Sequence, residues 1–234
     1  MKLQTSKKQI PLYGITVLVF FCFGHILLEI PFVIDIFLNI ADRSFWTAYF
    51  DIIFYGVFAV IFLMIQRKML IKDLKDFCDN HKKYSAHIAV SFVITFLLII
   101  IAAVILEHFG IGKSTNETAL EKASKASPIL EGITVMLVGP FVEEMVFRGF
   151  IYESVRRKIK DSDHLMICLW ILIVTILFLL NHCTPEDFRD LKLLVSYLIL
   201  FPNSIVLTVL YENDRNIFSS ILLHCVLNTI AYIN

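Results

Sequence analysis

The sequence predicts an all-α protein, a multi-pass transmembrane bundle of about seven helices, or eight if one short apolar segment also crosses. Two observations predict this fold. Hydrophobic residues make up 58% of the 234 residues, and 21 residues are phenylalanine, whereas soluble domains average roughly 45–50% hydrophobic. These residues are also grouped in runs of the length that crosses a bilayer, about 20 residues. We therefore expect a protein of the cell membrane with the lipid bilayer as its surroundings.

Seven apolar runs are long enough to be predicted as spans. They are Pro11–Ile30, Phe45–Ile65, Ser85–Leu106, Pro128–Tyr152, His164–Asn181, Leu191–Leu210 and Ile217–Ile233. The first run is too long for a signal peptide and no small-x-small cleavage site closes it, so it predicts a retained anchor. Residues 31–40 are apolar but short and carry Asp35, which predicts an interfacial helix or part of an eighth span.

Basic residues predict the orientation of the spans. Residues 66–84 and 156–160 are rich in Lys and Arg, as is the N-terminus. The positive-inside rule makes that side cytoplasmic, so the N-terminus is predicted inside and, after seven spans, the C-terminus outside. We divide the chain into residues 1–127, with N-terminal spans and a polar outer loop at 108–127, and a membrane domain at 128–234. The formal net charge is +0, so no nucleic-acid partner is expected.

Three charged residues interrupt the fourth run, in the stretch VGPFVEEMVFRGF at 138–150. An ionisable side chain inside a span is costly and usually marks a function. Glu144 and Arg148 are four residues apart, so they share a helix face and can pair. Glu143 points about 100° away, free to react. Gly139-Pro140 predicts a kink that admits water, while the structural alternative is a buried pair that only fixes helix packing.

Polar residues recur in two later runs. His182 ends the fifth run, and His224 and Asn228 lie four residues apart inside the seventh. The structural alternative is that these side chains form interhelical hydrogen bonds that hold the bundle together. Chemically, a carboxylate beside a histidine can take a proton from water, and a second histidine with an amide can stabilise an oxyanion. The set predicts hydrolysis of an amide by activated water, with or without a metal.

Zinc is the metal that this residue set suggests, because His and Glu are common zinc ligands. Glu143, His182 and His224 form the candidate ligand set, although the HExxH pattern is absent. The residues themselves leave the metal-free and the zinc-dependent routes open. A further pair, His25 and Glu29 in the first run, is predicted near the outer interface. The five cysteines form no CxxC pair and are predicted as small apolar residues.

Three motifs in order, EEMVFR, FLLNH and HCVLN, resemble those of the CAAX protease and bacteriocin-processing family, whose bacterial members are also called abortive-infection proteins. The resemblance covers about residues 128–234 and implies a multi-pass intramembrane endopeptidase, glutamate- or metal-dependent. It implies that Glu143 and His182 activate water and that His224 and Asn228 form the oxyanion hole. Glu144 and Arg148 would assist or stabilise the site.

The implied substrate is a peptide or a membrane-associated protein, and bacterial relatives suggest peptide maturation or bacteriocin self-immunity. Two alternatives stay open. The first is a non-catalytic membrane immunity or scaffold protein that binds a partner through the same cavity, the one expected beside Glu143. The second is a small transporter with a proton-carrying Glu–His pair, against which the lack of an evident repeat counts.

Helix geometry raises a difficulty for this site. If the fourth span leaves the membrane near Arg156 and the seventh begins at Ile217, Glu143 lies about 20 Å from the inner face and His224 only about 10 Å. His182 would lie deeper than either. These span ends thus give unequal depths for residues that one site must bring together, and tilted helices, a broken fourth helix or different span ends would each resolve the difference.

Overall fold

The computed structural model describes residues 9–25 and 30–233, and these form ten helices joined by short turns. No strand occurs within these two ranges, so the all-α prediction is confirmed there. The helices are α1 Gln9–His25, α2 Pro31–Ile40, α3 Arg43–Ile65, α4 Arg67–Asp79, α5 His81–His108, α6 Thr115–Ala126, α7 at residues 128–156, α8 His164–His182, α9 Leu191–Asp214 and α10 Ile217–Ile233. Glu29 and the side chain of His25 lie outside what the structure describes, so the predicted pair is not described.

Within the described residues, four helices have the length and apolar composition of a membrane span. They are Phe45–Ile65, His81–His108, His164–His182 and Leu191–Asp214, which agree with the second, third, fifth and sixth predicted runs. Pro11–Gly24 and Ile217–Ile233 are apolar but shorter, and α7 carries several charged residues. The helical membrane bundle is thus supported, while the count of seven spans stays a prediction. Residues 31–40 form a separate helix, α2.

The predicted outer loop at 108–127 contains a helix that its lack of hydrophobic periodicity concealed. Helix α6 begins after Ser114, whose hydroxyl accepts a hydrogen bond from the Glu117 backbone N–H. The Glu117 carboxylate in turn accepts from the Ser114 backbone N–H. This reciprocal capping box satisfies donors that every helix start leaves open. A polar helix can therefore form here without a continuous apolar face.

Aromatic side chains pack the N-terminal helices against the C-terminal ones. Phe20 of α1 meets Phe58 of α3 with ring centroids 5.1 Å apart, and Phe21 meets Phe147 of α7 at 6.0 Å. In lipid, close packing rather than exclusion of water drives helix association, and an aromatic pair adds about 0.5–1.5 kcal/mol. The two halves of the chain therefore share one core, in which α7 is central.

Contacts between helices bring the predicted site residues to one depth. Arg215, just before α10, bonds Glu153 of α7 at 2.8 Å. Glu143 lies ten residues before Glu153 and His224 nine after Arg215, and His224 Nε2 lies 3.6 Å from Glu143 Oε2, so the two residues share one depth. The predicted inequality between these two residues was wrong because it aligned Arg156 with Ile217.

A ring contact aligns α8 with α7 in the same way. Phe147 and Phe178 have ring centroids 5.0 Å apart. Glu143 lies four residues before Phe147, and His182 lies four residues after Phe178. His182 Nε2 lies 4.0 Å from Glu143 Oε1, so His182 reaches the level of Glu143. The prediction that His182 lies deeper was therefore wrong as well.

Gly149 is required because α1 approaches α7 closely there. The Tyr13 hydroxyl donates to the Met145 carbonyl, and a Cβ added at Gly149 would lie 2.5 Å from that hydroxyl. We expect Gly149→Ala to lower the free energy of unfolding by about 1–3 kcal/mol through overpacking, measured by denaturant titration in mixed micelles. Gly56→Ala is the control, because nothing lies within 4 Å of its added Cβ. Equal stability of the two variants would contradict this account.

Candidate active site

Two wide helical turns flank the glutamates of α7. Thr134–Val138 and Met145–Tyr152 are π-helical, and the α-helical turn Gly139–Glu144 between them carries both carboxylates. The Gly139 N–H donates to the Thr134 carbonyl, five residues back. Such π-bulges frequently occur at functional sites. Gly139-Pro140, predicted as a kink, thus follows directly on a widened turn.

Asn228 compensates for the proline in this turn. Pro140 has no N–H, and the carbonyl five residues before it, on Val135, has no backbone donor in the π-helical pattern. The Asn228 side-chain amide of α10 donates to that carbonyl at 3.0 Å. An amide carries two N–H donors, so this bond uses one of them. Asn228 therefore joins α10 to α7 beside the glutamates.

Glu144 and Arg148 form the predicted pair. Arg148 Nη1 lies 2.7 Å from Glu144 Oε1, and both side chains are fully buried. The guanidinium also donates to the Ser204 carbonyl at 2.8 Å and to the Thr208 hydroxyl at 3.2 Å, and it lies 5.1 Å from the centre of the Phe178 ring. Arg148 thus connects α7, α8 and α9, and its buried charge is balanced by Glu144.

His224 lies between the two glutamates. Its Nδ1 is 2.9 Å from Glu144 Oε1, and its Nε2 is 3.6 Å from Glu143 Oε2. An ionised carboxylate only accepts hydrogen bonds, so Nδ1 carries the hydrogen of the bond to Glu144. Arg148, Glu144 and His224 therefore form a buried chain that orients the His224 ring toward Glu143.

Glu143 faces both histidines across short gaps. Its Oε1 is 4.0 Å from His182 Nε2, and its Oε2 is 3.6 Å from His224 Nε2. Both distances exceed a direct hydrogen bond, and polar groups at this spacing are commonly bridged by water. The Glu143 side chain is 9% exposed and that of His182 is 16% exposed, so the gap between them is accessible yet enclosed.

The orientation of His182 follows from its position as the last residue of α8. Its Nδ1 lies 2.8 Å from the Phe178 carbonyl, and a carbonyl only accepts. Nδ1 therefore carries a hydrogen, and Nε2 of the neutral ring is the acceptor that faces Glu143. Since Glu143 Oε1 and His182 Nε2 are both acceptors, a molecule with two donors, such as water, fits between them.

Asp187 fixes the turn that follows His182. Its buried carboxylate accepts from the Thr184 backbone N–H at 2.6 Å, the Tyr197 hydroxyl at 2.8 Å and the Thr115 hydroxyl. Burial alone would raise the pKa of Asp187, but these hydrogen bonds outweigh it and lower the pKa below the usual 3.8. The ionised carboxylate thus ties α6 and α9 to the end of α8. A single aspartate in a loop gave no signal of this role in the sequence.

Zinc binding was predicted for Glu143, His182 and His224. In the described part of the chain, no group of three or more His, Cys, Asp or Glu side chains is positioned to hold a metal ion. No chemical step is therefore assigned to a zinc ion. Ligation by these three residues stays a prediction.

Tyr55 of α3 is the neighbour of Glu143 that sequence reasoning missed. Its hydroxyl donates to Glu143 Oε1 at 3.2 Å. The residue lies in the apolar run Phe45–Ile65, where nothing in the pattern separates it from other aromatic residues. The structure thus brings five predicted residues and Tyr55 together, with Asn228 bonded to the same segment of α7.

Comparison with known families agrees with this geometry. Residues 125–230 match the family described as Type II CAAX prenyl endopeptidase Rce1-like. Over these residues the chain is similar to CAAX endopeptidases, and we call residues 125–230 the CAAX endopeptidase region. The resemblance predicted from the three motifs is therefore confirmed, and the chain is a membrane protein. No curated protein and no solved structure matches the chain.

All six predicted site residues lie within the CAAX endopeptidase region. They are Glu143, Glu144, Arg148, His182, His224 and Asn228. Tyr55 and Tyr13 lie outside it, on helices that pack against α7. The site described above is therefore built from the CAAX endopeptidase region together with at least one residue of the preceding part of the chain.

Proposed function

We propose that the protein is an intramembrane endopeptidase that hydrolyses a peptide bond in a peptide or a membrane-associated protein. The observation that carries this proposal is the position of Glu143, whose carboxylate lies 4.0 and 3.6 Å from imidazole nitrogens of two other helices. The family of residues 125–230 supports the same reaction class. The substrate meets the site from the surrounding lipid bilayer.

Water held between Glu143 and His182 is the proposed nucleophile. Donating one hydrogen to Glu143 Oε1 and the other to His182 Nε2 leaves its lone pairs directed away from both bases. A lone pair of the water oxygen attacks the carbonyl carbon of the scissile bond, and one proton of the water passes to Glu143, the general base. When the tetrahedral intermediate collapses, that proton is delivered to the leaving amine nitrogen, so atoms and charges balance.

His224, in the form with both ring nitrogens protonated, and Asn228 are proposed to stabilise the oxyanion as hydrogen-bond donors. They lie one turn apart on α10, which faces the glutamate turn of α7. Hydrogen-bond donors held in place before the reaction stabilise developing charge without reorganisation. The bond of His224 to Glu144 and that of Asn228 to Val135 supply this rigidity. Arg148 acts indirectly, because it holds Glu144.

The proposed setting is the cell membrane, with the N-terminus in the cytoplasm. Basic segments at 66–84 and 156–160 support this orientation. Within the peptidase class, maturation of a secreted peptide or self-immunity to a bacteriocin is the proposed role. Fusion of a reporter enzyme to each terminus tests the orientation separately from the chemistry.

His182→Ala is the variant that tests the proposed function. The purified full-length protein, reconstituted in vesicles, is incubated with membrane peptides, and new termini are identified by mass spectrometry. We expect cleavage by the wild type and a loss of about 10²-fold or more in the variant. His164→Ala, an exposed position at the start of the same helix, is expected to retain full activity.

Retention of full activity by His182→Ala would contradict the proposed chemistry. If instead no peptide is cleaved and the variant still protects cells from a bacteriocin, the protein acts as a non-catalytic immunity or scaffold protein. In that case, substitutions that fill the cavity around Glu143 would abolish function while His182→Ala would not.

A further inference from the structure

Tyr55 joins the part of the chain before the family match to the proposed catalytic base. It lies on α3, and its hydroxyl donates to Glu143 Oε1 at 3.2 Å. The family match begins at residue 125, so no motif of that region includes this tyrosine. A hydrogen bond to the carboxylate of a general base affects the position of the reacting atoms directly.

Aromatic neighbours hold the Tyr55 ring. The ring meets Phe54 at 5.4 Å and Phe20 of α1 at 6.1 Å, both in edge arrangements. The ring also lies close to Gly139, at which an added Cβ would be 3.9 Å from it. These contacts restrict the ring, so its hydroxyl is presented to Glu143 from a fixed direction.

We propose that Tyr55 is a positioning residue for Glu143, so that α3 completes the active site; this inference rests on the proposed endopeptidase function. The terminal torsion of a glutamate is broad, and without a partner its carboxylate could turn toward either histidine. If Oε1 turned out of line with His182 Nε2, the two acceptors could no longer hold a water molecule between them. The Tyr55 hydroxyl prevents this by holding Oε1 at the gap.

Positioning of this kind predicts an effect on turnover rather than on binding. A displacement of about 1 Å from the productive geometry can cost about 10²-fold in rate. Tyr55→Phe keeps the ring and removes only the hydroxyl. We expect kcat to fall about 10- to 100-fold, KM to stay within about twofold, and the melting temperature to stay within about 2 °C.

Tyr232→Phe is the matched control. The Tyr232 hydroxyl donates to the Pro128 carbonyl at the start of α7, at 2.7 Å, so this variant also removes one tyrosine hydrogen bond to that helix. We expect it to retain wild-type kcat. Unchanged kcat in Tyr55→Phe, or equal losses in both variants, would overturn the proposal.

The proposed function and this inference fail in different ways. If His182→Ala remains fully active, the endopeptidase chemistry itself is wrong, whatever Tyr55→Phe does. If His182→Ala is inactive and Tyr55→Phe retains wild-type kcat, only the role of Tyr55 is wrong. Rates are compared per folded protein, taken from the monodisperse peak on size exclusion, so that poor folding of one variant is not read as slow catalysis.

Discussion

Replacing Glu143 by glutamine is expected to lower kcat by about 10³-fold while leaving the protein folded. A positioned general base contributes about 10²–10⁴-fold to a proton transfer, and an amide oxygen is too weak a base to replace the carboxylate. Glutamine keeps the shape of glutamate and still accepts the hydrogen bond of Tyr55. The measurement is single-turnover cleavage of the reconstituted protein, alongside its melting temperature.

Glu131→Gln is the matched control for this variant. Glu131 is a buried glutamate on the same helix, 5% exposed, and it lies twelve residues before Glu143, away from both histidines. We expect the control to keep the wild-type rate. If Glu143→Gln also cleaves at the wild-type rate, Glu143 is not the base. The mechanism that places water between Glu143 and the two histidines is then wrong.

Spacing within one helix was the reliable part of the sequence analysis. Four residues separate Glu144 from Arg148, and the pair forms because helical periodicity is a local property that the sequence specifies directly. The same reasoning separated Glu143 from Glu144 and directed it elsewhere. The three motifs likewise identified residues that meet in space, since the family pattern records which helices converge.

Contacts between helices were not predictable in the same way. Tyr55 reaches Glu143 only because α3 packs against α7, and no periodicity in an apolar run marks one aromatic ring among many. The depths of Glu143, His182 and His224 came out unequal because the membrane face was placed at Arg156 in one helix and at Ile217 in another. The structure aligns them instead through Glu153 with Arg215 and through Phe147 with Phe178.

For Asn228, the sequence predicted a role in the site but not its bond to the backbone of α7. It was predicted to face the oxyanion, and the structure describes its bond to the Val135 carbonyl. A proline in the interior of a helix leaves one carbonyl without a backbone donor. Which carbonyl this is depends on whether the turn is α- or π-helical, and the sequence does not specify that.

Removing the charge of Arg148 is expected to cost about 3–5 kcal/mol in the free energy of unfolding, because breaking a buried ion pair leaves an uncompensated charge. In Arg148→Met, the fully buried Glu144 loses its cation while His224 remains its neighbour. The measurement is denaturant titration in mixed micelles. Arg67→Met, at an exposed position on α4, is expected to change stability by less than about 0.5 kcal/mol.

The double variant Glu144→Gln/Arg148→Met separates the charge effect from lost packing. Glutamine is neutral and still accepts the bond from His224 Nδ1, so no buried charge is left without a partner. We therefore expect the double variant to be more stable than Arg148→Met, since uncharged replacements of buried pairs are often tolerated. If it is as unstable as the single variant, the cost lies in the Arg148 bonds to Ser204 and Thr208 rather than in the stranded carboxylate. A stable double variant with low kcat would then indicate that the charges of the pair serve the reaction, because the glutamine still accepts the bond that orients His224.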